Sequence, residues 1–268
     1  MIKILKPLFV VISSLFLFGC IQVETKVNVN KDGSGTIEET VLMSNEMVQM
    51  LNEFMSGFAS DTVETEEFKL YNEEDLKNRE AELGEGVMLV SGSEYKTEDK
   101  QGYKVVYSFT DLSKLKIDQS PDSRIPEDAG VEAQEKSYVT FSFNKGDISE
   151  LKINIPEPEK DDTEEEFESE EDSLNDGDIS EMKFFLKDLS FSLIVDINGE
   201  IVETNADYIQ NSQITLFNLN FGELLDNQQK LEELKKINPN NLKELKELMK
   251  DIPGIKIETN DPVVIKFR

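Results

Sequence analysis

The sequence has no histidine, no tryptophan, one cysteine and only three arginines in 268 residues. Each shortage removes a class of function. Without histidine, the usual general base and the commonest metal ligand are missing. Serine–histidine and cysteine–histidine catalysis is therefore impossible, as is any zinc site built on histidine. The lone Cys20 rules out an intramolecular disulfide. Arg79, Arg124 and Arg268 are the only guanidinium groups, which argues against a dedicated phosphate or anion site. Positive charge is scarce as a whole, with 28 Lys and Arg against 56 Asp and Glu and a formal charge of −28. Nucleic-acid binding rests on cations neutralising phosphates, so nucleic acid is excluded as a partner. Long hydrophobic runs are missing too. The longest, Pro7–Phe18, falls short of the ~20 apolar residues that cross a bilayer as a helix.

That short run has a purpose of its own. Lys3 and Lys6 precede it as a basic region, and only Ser13 and Ser14 interrupt its apolar character. This is the layout of an export signal. Directly after it stands Leu17-Phe18-Gly19-Cys20, which resembles the lipobox of bacterial lipoproteins. The resemblance implies cleavage between Gly19 and Cys20 and acylation of the Cys20 sulfur. Leu17, Gly19 and Cys20 match the pattern, whereas Phe18 stands where a small residue is usual. An ordinary signal peptide with a chance cysteine is the competing reading. The single cysteine of the chain at the one position the pathway requires favours lipidation. Acyl chains contribute ~0.8 kcal/mol per buried methylene, so two or more hold a protein stably at a membrane. The implied location is a bacterial membrane, on its exported side, with residues 1–19 as signal peptide. Losing Lys3 and Lys6 with that segment makes the mature chain two charges more negative.

Ile21, Val23, Thr25, Val27 and Val29 alternate with polar residues, which predicts a half-buried strand beginning at once after Cys20. Lys31–Gly35 reads as a turn and Thr36–Met43 as the returning strand. Ser44 is an N-cap candidate for a helix to about Phe58, with Met47, Met50, Leu51, Phe54, Met55 and Phe58 at helical spacing. A charged helix is expected over Glu73–Leu83, ending at Gly84. Hairpin strands follow at Val87–Tyr95 and Tyr103–Phe109, then a loop over Ser120–Lys136, then a strand pair at Tyr138–Phe143 and Leu151–Ile155. Glu157–Asp178 holds thirteen acidic residues and one lysine. It has too little apolar surface to offset chain entropy and reads as a disordered linker or insertion. Beyond it come a short helix at Glu181–Asp188 and strands at Phe191–Ile197 and Glu200–Thr204. These flank Asn198-Gly199, a strong two-residue hairpin signal. A strand at Ile214–Phe221, helices at about Glu223–Ile237 and Leu242–Met249, and strands at Ile255–Glu258 and Val263–Phe267 complete the chain. The pattern is α+β: antiparallel sheets of hairpins and meanders packed with a few amphipathic helices, without βαβ alternation. It divides into 20–156, the acidic 157–178, and 179–268, the last being either a second region or part of the same domain.

Three motifs invite chemistry. Asn28-x-Asn30-x-Asp32-Gly33-x5-Glu39 has the donor spacing of a calcium-binding EF-hand loop. Asn28 stands where that loop wants an aspartate, and Gly35 where it carries a branched aliphatic. The entering segment alternates as a strand where the loop needs a helix. A hairpin turn explains the same residues, with Glu39 facing solvent and no metal bound. Ser-x-x-Lys, a spacing used by serine acylases, occurs at Ser113–Lys116, Ser149–Lys152 and Ser180–Lys183. None has the companion elements of those enzymes, and three hits in one chain mark chance. Met43, Met47, Met50 and Met55 place half of the eight methionines on or beside one helix. They suit either an adaptable groove for a hydrophobic or lipid ligand or ordinary core packing, and packing is the simpler account. The acidic run is able to hold cations loosely or meet a basic partner, but reads first as a solvated linker.

Cys20 with Val27–Gly35, Phe109-Thr110-Asp111-Leu112, Phe191–Ala206, Ile214-Thr215-Leu216 and Phe221–Leu225 together resemble the LppM-type lipoprotein domain family. The resemblance implies an α+β envelope domain that binds lipid or lipid-linked molecules, and it supplies no catalytic residues. The expected function is that of a lipid-anchored, non-enzymatic binding or assembly module without cofactor or metal. Its partners are the membrane through Cys20, a hydrophobic or lipid ligand, and an envelope protein. The alternative is a histidine-free hydrolase using paired carboxylates, which composition alone cannot locate among 56 acidic residues.

Overall fold

The structure is a computed structural model that describes residues 21–58, 68–118, 137–156, 187–227, 246–247 and 249–268, with backbone alone for 54–58. Cys20 and the signal segment, the 120–136 loop, the acidic run 157–178 and most of the 181–188, 223–237 and 242–249 helices lie outside the described residues.

The chain begins as expected. Strand β1, Ile21–Asn30, buries Ile21, Val23, Thr25, Val27 and Val29 on one face. Each buried aliphatic of this kind contributes roughly 1.5–3 kcal/mol. The Asp32-Gly33 turn leads into β2, Gly35–Ser44. Helix α1, Asn45–Phe58, follows directly, and the Ser44 hydroxyl accepts from Met47 N at 3.2 Å as its cap. Helix α2, Glu73–Leu83, is capped by the Asn72 side chain. Strands β3, Met88–Lys96, and β4, Lys100–Phe109, form the next hairpin. Its turn is tighter than the expected 98–102 link, because β4 already starts at Lys100.

The remaining strands are β5 (Lys116–Asp118), β6 (Tyr138–Asn144), β7 (Ser149–Asn154), β8 (Ser190–Asn198), β9 (Ile201–Thr204), β10 (Ile209–Gln210), β11 (Gln213–Asn220), β12 (Lys256–Ile257) and β13 (Val263–Phe267). A short helix α3, Phe221–Asp226, is capped by Asn220 and gives way at Asn227. It starts two residues earlier than expected. The segment expected as strand from Ile255 to Glu258 pairs only at Lys256–Ile257.

Two sheets result. The larger has the order β10-β11-β8-β1-β2-β4-β3 with β12 beside β11, and the smaller runs β5-β6-β7-β13-β9. Each takes strands from both sides of residues 157–178, so the acidic run does not divide one sheet from the other. The fold is a β-rich, helix-poor form of the expected α+β class. One part of that expectation fails: β1 pairs antiparallel with β2 but parallel with β8. A parallel pair needs a long crossover, and here the intervening chain contributes three strands to each sheet.

The second correction concerns Asn198-Gly199. No hairpin forms there. Both edges of β8 are already occupied, by β1 and β11, so β9 leaves the sheet and pairs with β13 in the other one. Neither Asn198 nor Gly199 has the positive φ of a two-residue hairpin turn. Glycine is required at 199 for a different reason: a Cβ would stand 2.7 Å from the Arg268 carbonyl oxygen.

Apolar side chains of both sheets form one core, reaching from Val29 and Phe109 to Phe141, Leu151 and Phe267. The β1–β2 turn is the joint between the sheets. Gly33, at φ +89, lies so near Phe143 that a Cβ would come within 2.6 Å of its ring. Its carbonyl accepts from Leu112 N at 2.9 Å, and Ser149 Oγ donates to Lys31 O at 3.3 Å. A smaller cluster of Leu224, Ile252, Ile255 and Ile257 closes over α3.

Candidate functional site

The site begins with the sidedness of α1. Met47, Val48 and Leu51 are buried against the sheet, while Met50 is 42% exposed. Met43 and Met47 are thus core residues, and the side chain of Met55 lies outside the described residues. Asn45, Gln49 and Asn52 fall at i, i+4 and i+7 and share a neighbouring stripe. That stripe forms one wall of a cleft of about 560 Å³. The opposite walls come from Phe68–Tyr71 and from the paired ends of β3 and β4, through Glu94, Lys96, Gln101 and Gly102. Such a volume lies within the range of small-ligand sites.

Sequence order and register fix where this cleft sits. Ile21 pairs with Met43, Met43 with Gln101 and Gln101 with Lys96. Gln101 is therefore two strand spacings from Ile21, roughly 10 Å at ~4.8 Å per strand. The cleft opens at the end of the large sheet where the chain enters it from Cys20.

The lining is mixed in polarity, unlike the methionine-lined groove considered from sequence. Val48, Phe68 and Leu70 supply an apolar floor, and all three are buried. Asn52 Oδ1 accepts from Phe68 N at 2.6 Å and fixes the returning segment. Tyr71 directs its hydroxyl to Gly92 O at 3.4 Å, which fixes the ring beside the cleft. Glu53 accepts from Gln49 at 2.9 Å, and Glu94 pairs with Lys96 at 3.2 Å. Lys69 and Lys96 balance Glu53 and Glu94, so the lining is formally neutral in a chain of charge −28.

A second polar feature is buried and was not anticipated. Glu39 does not face solvent; it is 3% exposed on the inner face of β2. Arg79 of α2 meets it with Nη1 3.1 Å from Oε1 and Nη2 3.4 Å from Oε2. Thr25 Oγ1 donates to Oε2 at 3.3 Å and Tyr103 OH to Oε1 at 3.5 Å. Burial works against the charge on Arg79, but Glu39, then Tyr103, Tyr107 and Glu82, outweigh it and hold the guanidinium above its usual value. Burial likewise raises the Tyr107 phenol, whose hydroxyl donates to Leu76 O at 2.9 Å. Helix α2 buries only Leu76 and Leu83, so this ion pair is a principal fastening of α2 to the sheet. The signal was present in the sequence. Ile37, Val41 and Met43 put position 39 on the inward parity, and Leu76, Arg79 and Leu83 share one helix face.

The calcium motif is a hairpin. Asn28 Nδ2 donates to Thr36 Oγ1 at 3.0 Å and to Glu38 Oε1 at 2.8 Å, while Asp32 Oδ1 accepts from the backbone and hydroxyl of Ser34. Asn28 and Asn30 lie on the face of the sheet opposite to Glu39. The motif's donors therefore do not converge. Two Ser-x-x-Lys motifs are likewise dispersed. Ser113 Oγ accepts from Phe143 N at 3.2 Å, and Lys116 lies over the Tyr138 ring. Ser149 is fully buried, whereas Lys152 pairs with Glu150 at 3.3 Å on the opposite strand face. Ser180–Lys183 lies outside the described residues.

No known family model matches the chain, and no curated protein matches it. Among solved structures, the NMR structure of the folded domain of Mycobacterium tuberculosis LppM aligns with 93% of this chain and 90% of its own, at 10% identity and a TM-score of 0.34. Among the described residues, no helix is long and apolar enough to cross a membrane.

Proposed function

We propose that this chain is an exported bacterial lipoprotein held to the membrane by acylated Cys20, and that its β-rich body is a non-enzymatic binding module. Its ligand is a lipid or lipid-linked molecule received in the cleft beside α1. The observation that carries this reading is the entry of the chain. Ile21, the residue after the lipobox cysteine, is fully buried and opens a strand paired on both sides. An acyl chain on Cys20 would leave no tether between bilayer and sheet, and the cleft two strands away would stand at the membrane surface. A ligand resident in that membrane would reach the cleft without crossing water.

Glu53 and Glu94 are the two carboxylates that line the same cleft. Both are solvent-exposed, and each is engaged by a neighbour. Neither sits in the buried, apolar surroundings in which carboxylic general acids are found. Metabolic labelling with a fatty acid tests the anchor. Label should enter the wild-type chain and be lost in Cys20→Ser. Label retained by that variant refutes the assignment.

A further inference from the structure

We infer that the cleft beside α1 is a recognition site for a neutral, hydroxyl-rich glycan, taken either free or as the headgroup of a membrane lipid. This rests on the binding-module reading and names its ligand class. The first support is the composition of α1. Only Glu46 and Glu53 among its fourteen residues are charged, in a chain that is 31% charged. The cleft-facing stripe instead carries Asn45, Gln49 and Asn52, and β4 adds Gln101. A carboxamide presents an acceptor oxygen and two donor hydrogens side by side. That matches adjacent sugar hydroxyls, each of which accepts one hydrogen bond and donates another.

The second support is the charge balance. Two lysines and two glutamates line the cleft, in a chain with twice as many acids as bases. An anionic ligand would require excess lysine there and a cationic one excess carboxylate; the lining has neither. The third is Tyr71, whose ring is fixed by its bond to Gly92 O and lines the cleft. It is the aromatic residue at the cleft besides Phe68, half-buried rather than buried, and an aromatic ring is the complement for the C–H side of a sugar ring. Carboxamides for the hydroxyl edge and an aromatic ring for the apolar face are the two complements a pyranose needs.

Hydrogen–deuterium exchange on the full chain tests the inference. The free-sugar arm adds maltotriose, chitotriose or mannotriose to protein in a phosphocholine detergent. The lipid arm compares phosphatidylcholine nanodiscs with and without diglucosyl diacylglycerol. Exchange should slow at Asn45–Asn52 and Lys96–Gly102 in at least one arm. Protection in the first arm identifies a free glycan, and protection in the second alone identifies a lipid headgroup. The Gln49→Ala, Gln101→Ala double variant should weaken binding about tenfold, since two hydrogen bonds are lost, with an unchanged thermal midpoint. Protection by anionic phosphatidylglycerol nanodiscs alone, sugar binding indifferent to the double variant, or no protection in either arm would each overturn the inference. The free-sugar arm does not depend on acylation, so a failed fatty-acid labelling and a failed sugar titration remain separate results.

Discussion

Replacing Arg79 by methionine is the most discriminating perturbation of the fold. The substitution keeps the aliphatic stem of the side chain and removes only the charge that faces Glu39. Both partners are nearly dry, with side-chain exposures of 11% and 2%, so water cannot screen the loss. Removing one member of such a pair leaves the other as a buried charge and costs about 3–5 kcal/mol. The hydroxyls of Thr25 and Tyr103 remain near Glu39 and place the expected loss toward the lower end. Glu39→Leu alone strands Arg79 in the same way. The double variant Glu39→Leu, Arg79→Met removes both charges, and its stability should return to within about 1–2 kcal/mol of wild type, or exceed it. Urea denaturation followed by circular dichroism measures all four corners of this cycle. Hydrogen exchange should show α2 loosened first in both single variants, because Leu76 and Leu83 are the only residues the helix buries. If Arg79→Met costs less than about 1 kcal/mol, or the double variant is no better than the singles, the ion pair is not the buried clamp described above.

Gly33→Ala should cost about 2–3 kcal/mol, from a left-handed backbone forced on a residue with a Cβ and from contact with the Phe143 ring. Adding Phe143→Leu should recover part of that loss in the same denaturation assay. Asp196 is partly buried, which disfavours its charge, yet hydrogen bonds from Lys26, Gln213 and Ser212 hold its carboxyl below the usual value. A depressed carboxylate stabilises the fold above its unfolded pKa, near 4, and that stabilisation is lost as pH falls below it. Asp196→Asn should therefore lower stability at neutral pH by about 1–2 kcal/mol and reduce the loss seen on acidification below pH ~4. An unchanged acid limb would refute this. Isothermal titration with calcium should give only weak, non-saturating heats. A single micromolar site lost on Asp32→Ala would contradict the hairpin geometry at Asn28–Glu39.

Sequence alone fixed what depends on neighbours along the chain. Alternation located β1, β2, β4 and β11, and Ser44 and Gly84 marked helix ends, because strand parity and capping are local effects. The charge balance and the missing histidine bounded the chemistry in the same way, since composition does not depend on folding. The tertiary structure decided whatever depended on which edges were free and which faces met. Asn198-Gly199 has the local chemistry of a hairpin, but β1 and β11 had already taken both sides of β8. Glu39 stood on the inward parity of β2, but the counter-ion that allows its burial lies forty residues away on α2. Asn45, Gln49 and Asn52 read as an ordinary polar helix face until β4 and Tyr71 closed around them. Strand pairing and ion pairing between distant segments are set by the packing of the whole core, and no short window of sequence contains that information.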